Sequence, residues 1–326
     1  MTLTPQQNSF LESATAIQLD RDKTEAAFLA RQLVQATLPH RDPKDIPLWS
    51  RTNGNLTLSI TPAWEQDPKT QQPRNVGIPY GTIPRLLLFW ITTEAVKTKS
   101  RRLELGDSLS AFMRELGLQP TGGRWGSIPR LRKQMTRLFR AKISFDSTQT
   151  VNGQQGKAWL DMQIAPKGEF WWSHHQPEQG TLWKSWIELG ESFFEAITSS
   201  PIPVDLRALK ALKRSPLALD LYSLLCYECY RVQKNEKSRF IPWRALMMQL
   251  GADYQGERAA NDFQKSCIHA LRKVQAVLPS LKLEIGEGGF TILEGSTPPI
   301  ASQATSRLQK ATNSSTHKHP SPQLTD

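Results

Sequence analysis

The chain has 326 residues, of which 41 are Lys or Arg and 30 are Asp or Glu, and its formal net charge is +11. Hydrophobic residues make up 38% and include 10 Trp and 12 Phe, a content that excludes a wholly disordered chain. The longest apolar run, from Ile83 to Ile91, is interrupted by Arg85 and is far shorter than the ~20 residues that span a bilayer.

Cysteine content and the first residues indicate the compartment. Three Cys are too few for a disulfide framework. The first thirty residues are rich in acid side chains and contain no apolar segment, so we expect neither a secretory nor a mitochondrial leader. These features predict a protein of the reducing cytoplasm with no membrane partner.

The positive charge is concentrated in two segments. Residues 74–142 hold 14 Lys or Arg against 4 Asp or Glu, and residues 200–280 hold 13 against 7. Charge that served solubility alone would have no reason to cluster twice, although that simpler interpretation stays open. A polyanionic partner explains the clustering, and nucleic acid is the commonest one for such a chain.

The N-terminal quarter is predicted to be an arm and a connector. Apolar residues recur at helical spacing over residues 5–37, which predicts helix there. Residues 39–79 are rich in Pro, Asn, Gln and Thr and predict an extended connector. Within it, residues 56–60 alternate as a strand does, after a turn signal at Asn53-Gly54.

A helix-turn-helix pattern with a strand hairpin follows. The predicted elements, in order, are helix 82–98, strand 100–105, helix 108–116 with Asp107 as N-cap, helix 127–140 capped by Ser127, and strands 141–148 and 158–164 joined by a polar tip at 151–157. This order is that of a winged helix. Strand-like segments at 170–173 and 184–198 would extend the sheet.

The same pattern recurs near the C-terminus. Its predicted elements are helices 205–213 and 216–233, strand 240–241, helices 242–250 and 257–278, and a hairpin of strands 281–285 and 290–293. The tail is rich in Ser, Thr, Pro and Gln, which predicts disorder. We therefore predict an α+β fold of two tandem winged-helix domains, with boundaries at 1–75 (helical arm and connector), 76–198 (first domain), 199–295 (second domain) and 296–326 (disordered tail).

Two predicted helices carry cations opposite an apolar stripe. On helix 127–140 the stripe is Ile128, Leu131, Met135 and Leu138. No acidic residue lies between Leu116 and Phe145, whereas a merely solvated face normally mixes charges of both signs. Helix 257–278 repeats the arrangement less purely, because an acid side chain lies at the edge of its polar face. A major groove accepts one helix, and Arg and Asn read base edges there.

These considerations give a set of candidate DNA-contacting residues. They are Arg124, Arg130, Arg132, Lys133, Arg137, Arg140 and Lys157 in the first domain, and Arg258, Asn261, Lys265, His269 and Arg272 in the second.

Other signals point away from catalysis. Cys226 and Cys229 have the spacing of half a zinc site, but they lie within a predicted helix and lack a second pair, so we interpret them as buried apolar residues. No nucleotide loop, nucleophile elbow or zinc-protease motif is present in the sequence. Trp residues over 159–186 could stack on bases, but Trp at strand spacing is more often core. We expect no enzyme activity, no cofactor and no metal.

Part of the sequence resembles a known family. The segments that carry the resemblance are Ile78-Pro79-Tyr80-Gly81, Pro84-Arg85-Leu86-Leu87-Leu88 with Trp90, Leu103-Glu104-Leu105-Gly106-Asp107-Ser108-Leu109, Phe112-Met113-Arg114-Glu115-Leu116-Gly117 and Gly122-Gly123-Arg124-Trp125-Gly126. They are similar to plasmid-encoded RepA replication initiators of Gram-negative bacteria. The similarity covers roughly residues 40–295 and is specific over 78–142.

The resemblance implies more than the residues do. It implies a tandem winged-helix protein that binds repeated sites, iterons, at a plasmid origin, opens an AT-rich duplex and recruits host DnaA and the DnaB helicase. It also implies a homodimer that represses its own promoter. The residues alone predict DNA binding, so a winged-helix transcriptional repressor without initiator activity stays open as the alternative.

Overall fold

The computed structural model describes residues 3–67, 69–151, 154–170, 185–251 and 254–300. Within these ranges, none of the helices combines the length and the apolar character that crossing a bilayer requires. Of the predicted tail, residues 301–326 lie outside the described residues, whereas Ser296 and Ile300 are buried, contrary to the disorder predicted from residue 296.

The N-terminal quarter has more strand than the sequence predicts. Its elements are α1 (Pro5–Leu19), β1 (Ala26–Ala30), α2 (Arg31–Gln35), β2 (Trp49–Asn53), β3 (Leu56–Thr61), β4 (Trp64–Gln66) and β5 (Pro73–Asn75). The prediction of helix throughout 5–37 is wrong at β1, because four of its five residues are buried and a run buried on all sides shows no helical period. The predicted strand and turn at 53–60 are confirmed.

The first repeated pattern is present with nearly the predicted bounds, and we call it the first unit. It consists of α3 (Thr82–Thr98), β6 (Arg102–Glu104), α4 (Leu109–Glu115), α5 (Ser127–Phe139), β7 (Lys142–Val151) and β8 (Gln154–Gln163). The N-cap of α4 is Ser108, whose hydroxyl accepts from the Ala111 amide, and not Asp107. Helix α5 begins at Ser127, with Gly126 as its N-cap.

The hairpin of the first unit belongs to a larger sheet. Its antiparallel strand order is β2-β3-β7-β8. Paired positions such as Leu58 with Phe145 and Ile60 with Ile143 bring buried side chains onto one face. The strands also extend into both ends of the predicted polar tip, so that Lys157 lies within β8 opposite Thr148. The connector therefore supplies half of this sheet, which local sequence cannot reveal because the pairing is long-range.

The next elements lead into the second unit. Strands β9 (Lys167–Glu169) and β10 (Trp186–Glu188) form a sheet with β6 in the order β6-β10-β9, so β6 does not pair with the hairpin as a winged helix would require. The strand predicted over 184–198 is wrong for α6 (Glu191–Ser199), whose Phe193 and Ile197 are buried at helical spacing. The strand predicted at 170–173 falls mostly outside the described residues.

The second unit has its helices and strands in the predicted order, and its last three strands form one sheet. Its elements are β11 (Pro201–Asp205), α7 (Leu206–Leu212), α8 (Pro216–Asn235), β12 (Arg239–Pro242), α9 (Trp243–Leu250), α10 (Ala259–Val277), β13 (Leu283–Ile285) and β14 (Gly289–Ile292). The short strand between the helices joins the hairpin, in the order β12-β14-β13. Both CxxC thiols are buried on α8, which confirms their interpretation as core residues. Burial raises the pKa of Cys229 to about 12.

The N-terminal segment joins the two units and is not a free arm. Strand β1 pairs along its whole length with β11 and also packs against α3. Helix α1 packs on α7 and α10, and Gln18 donates to the Ala276 carbonyl at 3.1 Å. Arg51 on β2 donates to the backbone carbonyl of Gln249 on α9. The two units therefore share one continuous core.

A buried ion pair lies where the two units meet. Arg85 of α3 donates from Nε and Nη2 to the two carboxylate oxygens of Asp220 on α8, each at 2.8 Å. Its remaining N–H groups reach the carbonyls of Leu38, Pro39 and Gly81. His40 Nε2 lies 2.7 Å from Asp220 Oδ2. Every donor of the guanidinium is satisfied, which is the condition under which a buried charge is tolerated.

The environment of this cluster sets its protonation. The Arg85 guanidinium and the hydrogen bond from His40 outweigh burial and hold the pKa of Asp220 well below its ordinary value. Burial, assisted by the charge of Arg85, lowers the pKa of His40. His40 is therefore neutral at pH 7 and donates to the carboxylate from Nε2.

We expect Asp220→Ala to lower the free energy of unfolding by about 3 kcal/mol, because it leaves the Arg85 charge buried without its partner. Urea denaturation followed by circular dichroism measures the change. The matched control is Asp262→Ala on the exposed face of α10, which should stay within about 0.5 kcal/mol of the wild-type value. A loss below about 1 kcal/mol for Asp220→Ala would contradict the role given to the pair.

Candidate nucleic-acid interface

The cationic side chains of helix α5 differ in their exposure to solvent. Ile128, Leu131, Met135 and Leu138 are buried, as predicted, because they pack toward the interior of the first unit. Arg130 and Lys133 are exposed and make no ion pair or hydrogen bond within the described part of the chain. Arg132 is half-buried, and burial lowers its pKa. The outward face of α5 therefore consists mainly of two unopposed cations.

Arg137 is a correction to the prediction. It was expected on the outward face, yet its side chain is only 8% exposed. Its guanidinium donates to the carbonyls of Val76 and Ile78 and lies 3.4 Å from an oxygen of Asp42. A Cβ at Gly77 would lie within 2.7 Å of this guanidinium, so the close approach needs glycine there. Arg137 ties the connector to α5 and is left out of the interface.

Arg140 and Lys157 are exposed but paired. Arg140 lies 3.1 Å from Glu65 at the β4–β5 hairpin and donates to the Trp64 carbonyl. Lys157 lies 3.3 Å from Asp146 on the neighbouring strand. Exposed pairs of this kind contribute little to stability and exchange readily for another anion. Both side chains are available to a phosphate at small cost.

The loop that precedes α5 carries an exposed aromatic residue that was not among the predicted DNA-contacting residues. Trp125 is 84% exposed, and the Arg124 guanidinium carbon lies 5.2 Å from the centroid of its ring. Trp159 on β8 is 70% exposed, so the core interpretation of that residue is wrong. Trp186 is half-buried, whereas Trp171, Trp172 and Trp183 lie outside the described residues. Exposed aromatic rings can stack on nucleic-acid bases.

Helix α10 keeps all of its predicted cations outward. Phe263, Cys267, Leu271 and Val274 are buried, whereas Ala260, predicted to share their face, is exposed. The candidate residues of this helix are all exposed; they are Arg258, Asn261, Lys265, His269 and Arg272. Burial and the positive charges of Lys273 and Arg272 lower the pKa of His269, so it is neutral at pH 7 in the free protein.

One residue outside both helices joins this surface. Arg41 of the connector is exposed and lines an open groove of about 480 Å³ together with Lys265 and His269. No sequence pattern indicates this residue, because Arg41 lies in a loop without periodicity. Among the described residues no cluster of His, Cys, Asp and Glu suits a metal ion.

Comparison with known proteins assigns the chain to a protein family. Residues 78–245, slightly more than half of the 326, match the family described as plasmid encoded RepA protein. The match runs through the first unit and ends inside α9, so α5 lies within it and α10 beyond it. Fold and match together define the class, a mixed α and β plasmid replication protein. The chain belongs to the family of plasmid-encoded RepA proteins, which are replication initiators.

The fold also has counterparts among solved structures. A crystal structure of domains 2 and 3 of RctB is similar with a TM-score of 0.51 and 13% identity, over 79% of this chain and 95% of that one. A second crystal structure of the same two domains gives a TM-score of 0.49 and 14% identity, over 80% and 96%. At this identity the first likeness establishes a shared fold. No curated protein matches the chain.

We expect Arg137→Ala to destabilise the protein, and Arg130→Ala, at an exposed position, to leave its stability nearly unchanged. Arg137→Ala leaves buried carbonyls without a donor and should lower the free energy of unfolding by about 2 kcal/mol. Arg130→Ala, on the same helix, should change it by less than about 0.5 kcal/mol. Urea denaturation of the two variants measures both values, and equal effects would show that the burial of Arg137 has no energetic consequence.

Proposed function

We propose that this protein initiates plasmid replication by binding repeated sites, iterons, in the duplex of the origin with two winged-helix units, and that it has no catalytic activity of its own. The observation that carries the proposal is the pair of exposed, unopposed cationic faces on α5 and α10, each on the helix that precedes the strand hairpin of its unit. The family match supports the role in replication.

Topology supports the winged-helix interpretation. In the second unit β12, between α8 and α9, pairs with the hairpin that follows α10, as in a wing. In the first unit the corresponding strand pairs with β10 instead, and the hairpin is extended by β2 and β3. The first unit is therefore an elaborated form in which the third helix and the hairpin keep their order.

The chemistry of the two faces suits duplex DNA. Arg and Lys on an outward helix neutralise phosphates, and Arg and Asn form bidentate contacts with guanine and adenine edges in the major groove. Because the two units share one core, binding of one helix brings the other near the same duplex and raises the apparent affinity. Host DnaA, the DnaB helicase and a homodimeric repressor state are implied by the family alone.

We expect Arg130→Ala/Lys133→Ala and Lys265→Ala/Arg272→Ala each to weaken binding to an origin fragment. Each lost phosphate contact should lower the slope of log affinity against log salt by about 0.9, hence by about 1.8 for a pair. Fluorescence anisotropy over a salt series measures it. Lys23→Ala/Lys234→Ala removes the same charge away from α5 and α10 and is the control; an equal loss there would mean that net charge alone drives binding.

Opening of the origin distinguishes an initiator from a repressor with the same fold. We expect the wild-type protein to expose thymines to permanganate in the AT-rich stretch of supercoiled origin DNA, and a plasmid encoding Arg130→Ala/Lys133→Ala to fail to replicate. Binding without thymine reactivity would favour the transcriptional repressor. Relaxation of the plasmid in the presence of a divalent ion would show a nickase and contradict the absence of catalysis.

A further inference from the structure

We infer that Arg41 of the connector contacts a DNA phosphate in a groove that it forms with the outer face of α10. The inference rests on the proposed function, because it assigns the path that the DNA backbone takes from one unit to the other. It adds a positioning contact that neither helix supplies.

The lining of the groove suits an anion. Arg41, Lys265 and His269 lie around an open space of about 480 Å³, and the described residues that line it include no carboxylate. Ser215, the N-cap of α8, also lines it; its Oγ accepts from the Ala218 amide, which leaves the hydroxyl proton free to donate. Phosphate oxygens are acceptors for each of these donors.

Arg41 is held in place by its two neighbours. On one side the His40 side chain is 7% exposed and bonded to Asp220 of α8. On the other side the Asp42 carboxylate meets Arg137 of α5. The backbone at Arg41 is thereby fixed, while its own side chain is exposed and forms no ion pair within the part of the chain that is described. A cation on a fixed backbone loses less conformational entropy when it binds.

The position of Arg41 indicates the path that the DNA backbone takes between the two basic helices. Asp42 connects it to α5, and the groove connects it to Lys265 and His269 on α10. Arg41 thus lies between a residue that contacts α5 and a groove lined by α10, and we assign it to a DNA backbone that runs from one helix to the other. A guanidinium matches a phosphate with two parallel hydrogen bonds, which an ammonium cannot form.

The test uses the full chain and an origin fragment in fluorescence anisotropy over a salt series. Arg41→Ala should weaken binding about tenfold and lower the salt slope by about 0.9. Arg41→Lys should restore the slope and part of the affinity. The control is Lys44→Asn, which removes one charge from the same loop outside the groove, at a position of positive φ that Asn tolerates.

Each outcome decides between the inference and the proposed function. Loss with Arg41→Ala and none with Lys44→Asn supports the groove. Unchanged binding with Arg41→Ala, while the α5 and α10 variants lose binding, overturns the groove and leaves the proposed function standing. Equal losses with Arg41→Ala and Lys44→Asn also overturn it, because loop charge alone would then suffice. Unaltered binding with the α5 and α10 variants contradicts the proposed function itself.

Discussion

The architecture depends on one buried carboxylate, Asp220. It lies on α8 of the second unit, and it is bound by Arg85 from α3 of the first unit and by His40 from the connector. Such a cluster adds little net stability compared with apolar residues of the same volume, but it is strict about geometry. We therefore interpret it as the element that fixes the orientation of the two units.

The consequences of that constraint reach both basic helices. His40 and Asp42 flank Arg41 and connect the cluster to α10 through the groove and to α5 through Arg137. The arginines near this cluster therefore have two different roles. Arg85 and Arg137 are buried and stabilise the fold, whereas Arg41 is exposed. Net charge along the sequence does not distinguish these uses, since both count equally.

The elements that the sequence predicted well are those whose signal is local. Helices α3, α5, α8 and α10 have strong periodicity and clear ends, and their bounds agree within about two residues. The failures are long-range. Strand β1 is defined by its pairing with β11, in which Ala26 lies opposite Asp205, 179 positions further along the chain, and no local pattern predicts such a pairing.

The residues of the candidate site also divide into those that local spacing predicts and those whose position depends on long-range contacts. The outward face of α10 follows from its spacing alone, because one stripe packs on the second unit and the rest must face away. On α5 the spacing places Arg137 outward, but the approach of Asp42 and two carbonyls from the connector buries it. Arg41 could not be found at all, since its position depends on how His40 and Asp42 are held.

In the proposed complex the two basic helices contact one duplex as a single rigid body. The test is to locate the two major-groove contacts on an origin repeat by footprinting, to insert five base pairs between them, and to measure the affinity for the interrupted repeat. Half a helical turn rotates one contact to the far side of the duplex, so the account predicts that affinity falls to that of the Lys265→Ala/Arg272→Ala variant on the uninterrupted site. Unchanged affinity for the interrupted repeat would show that the units move independently and would contradict the account.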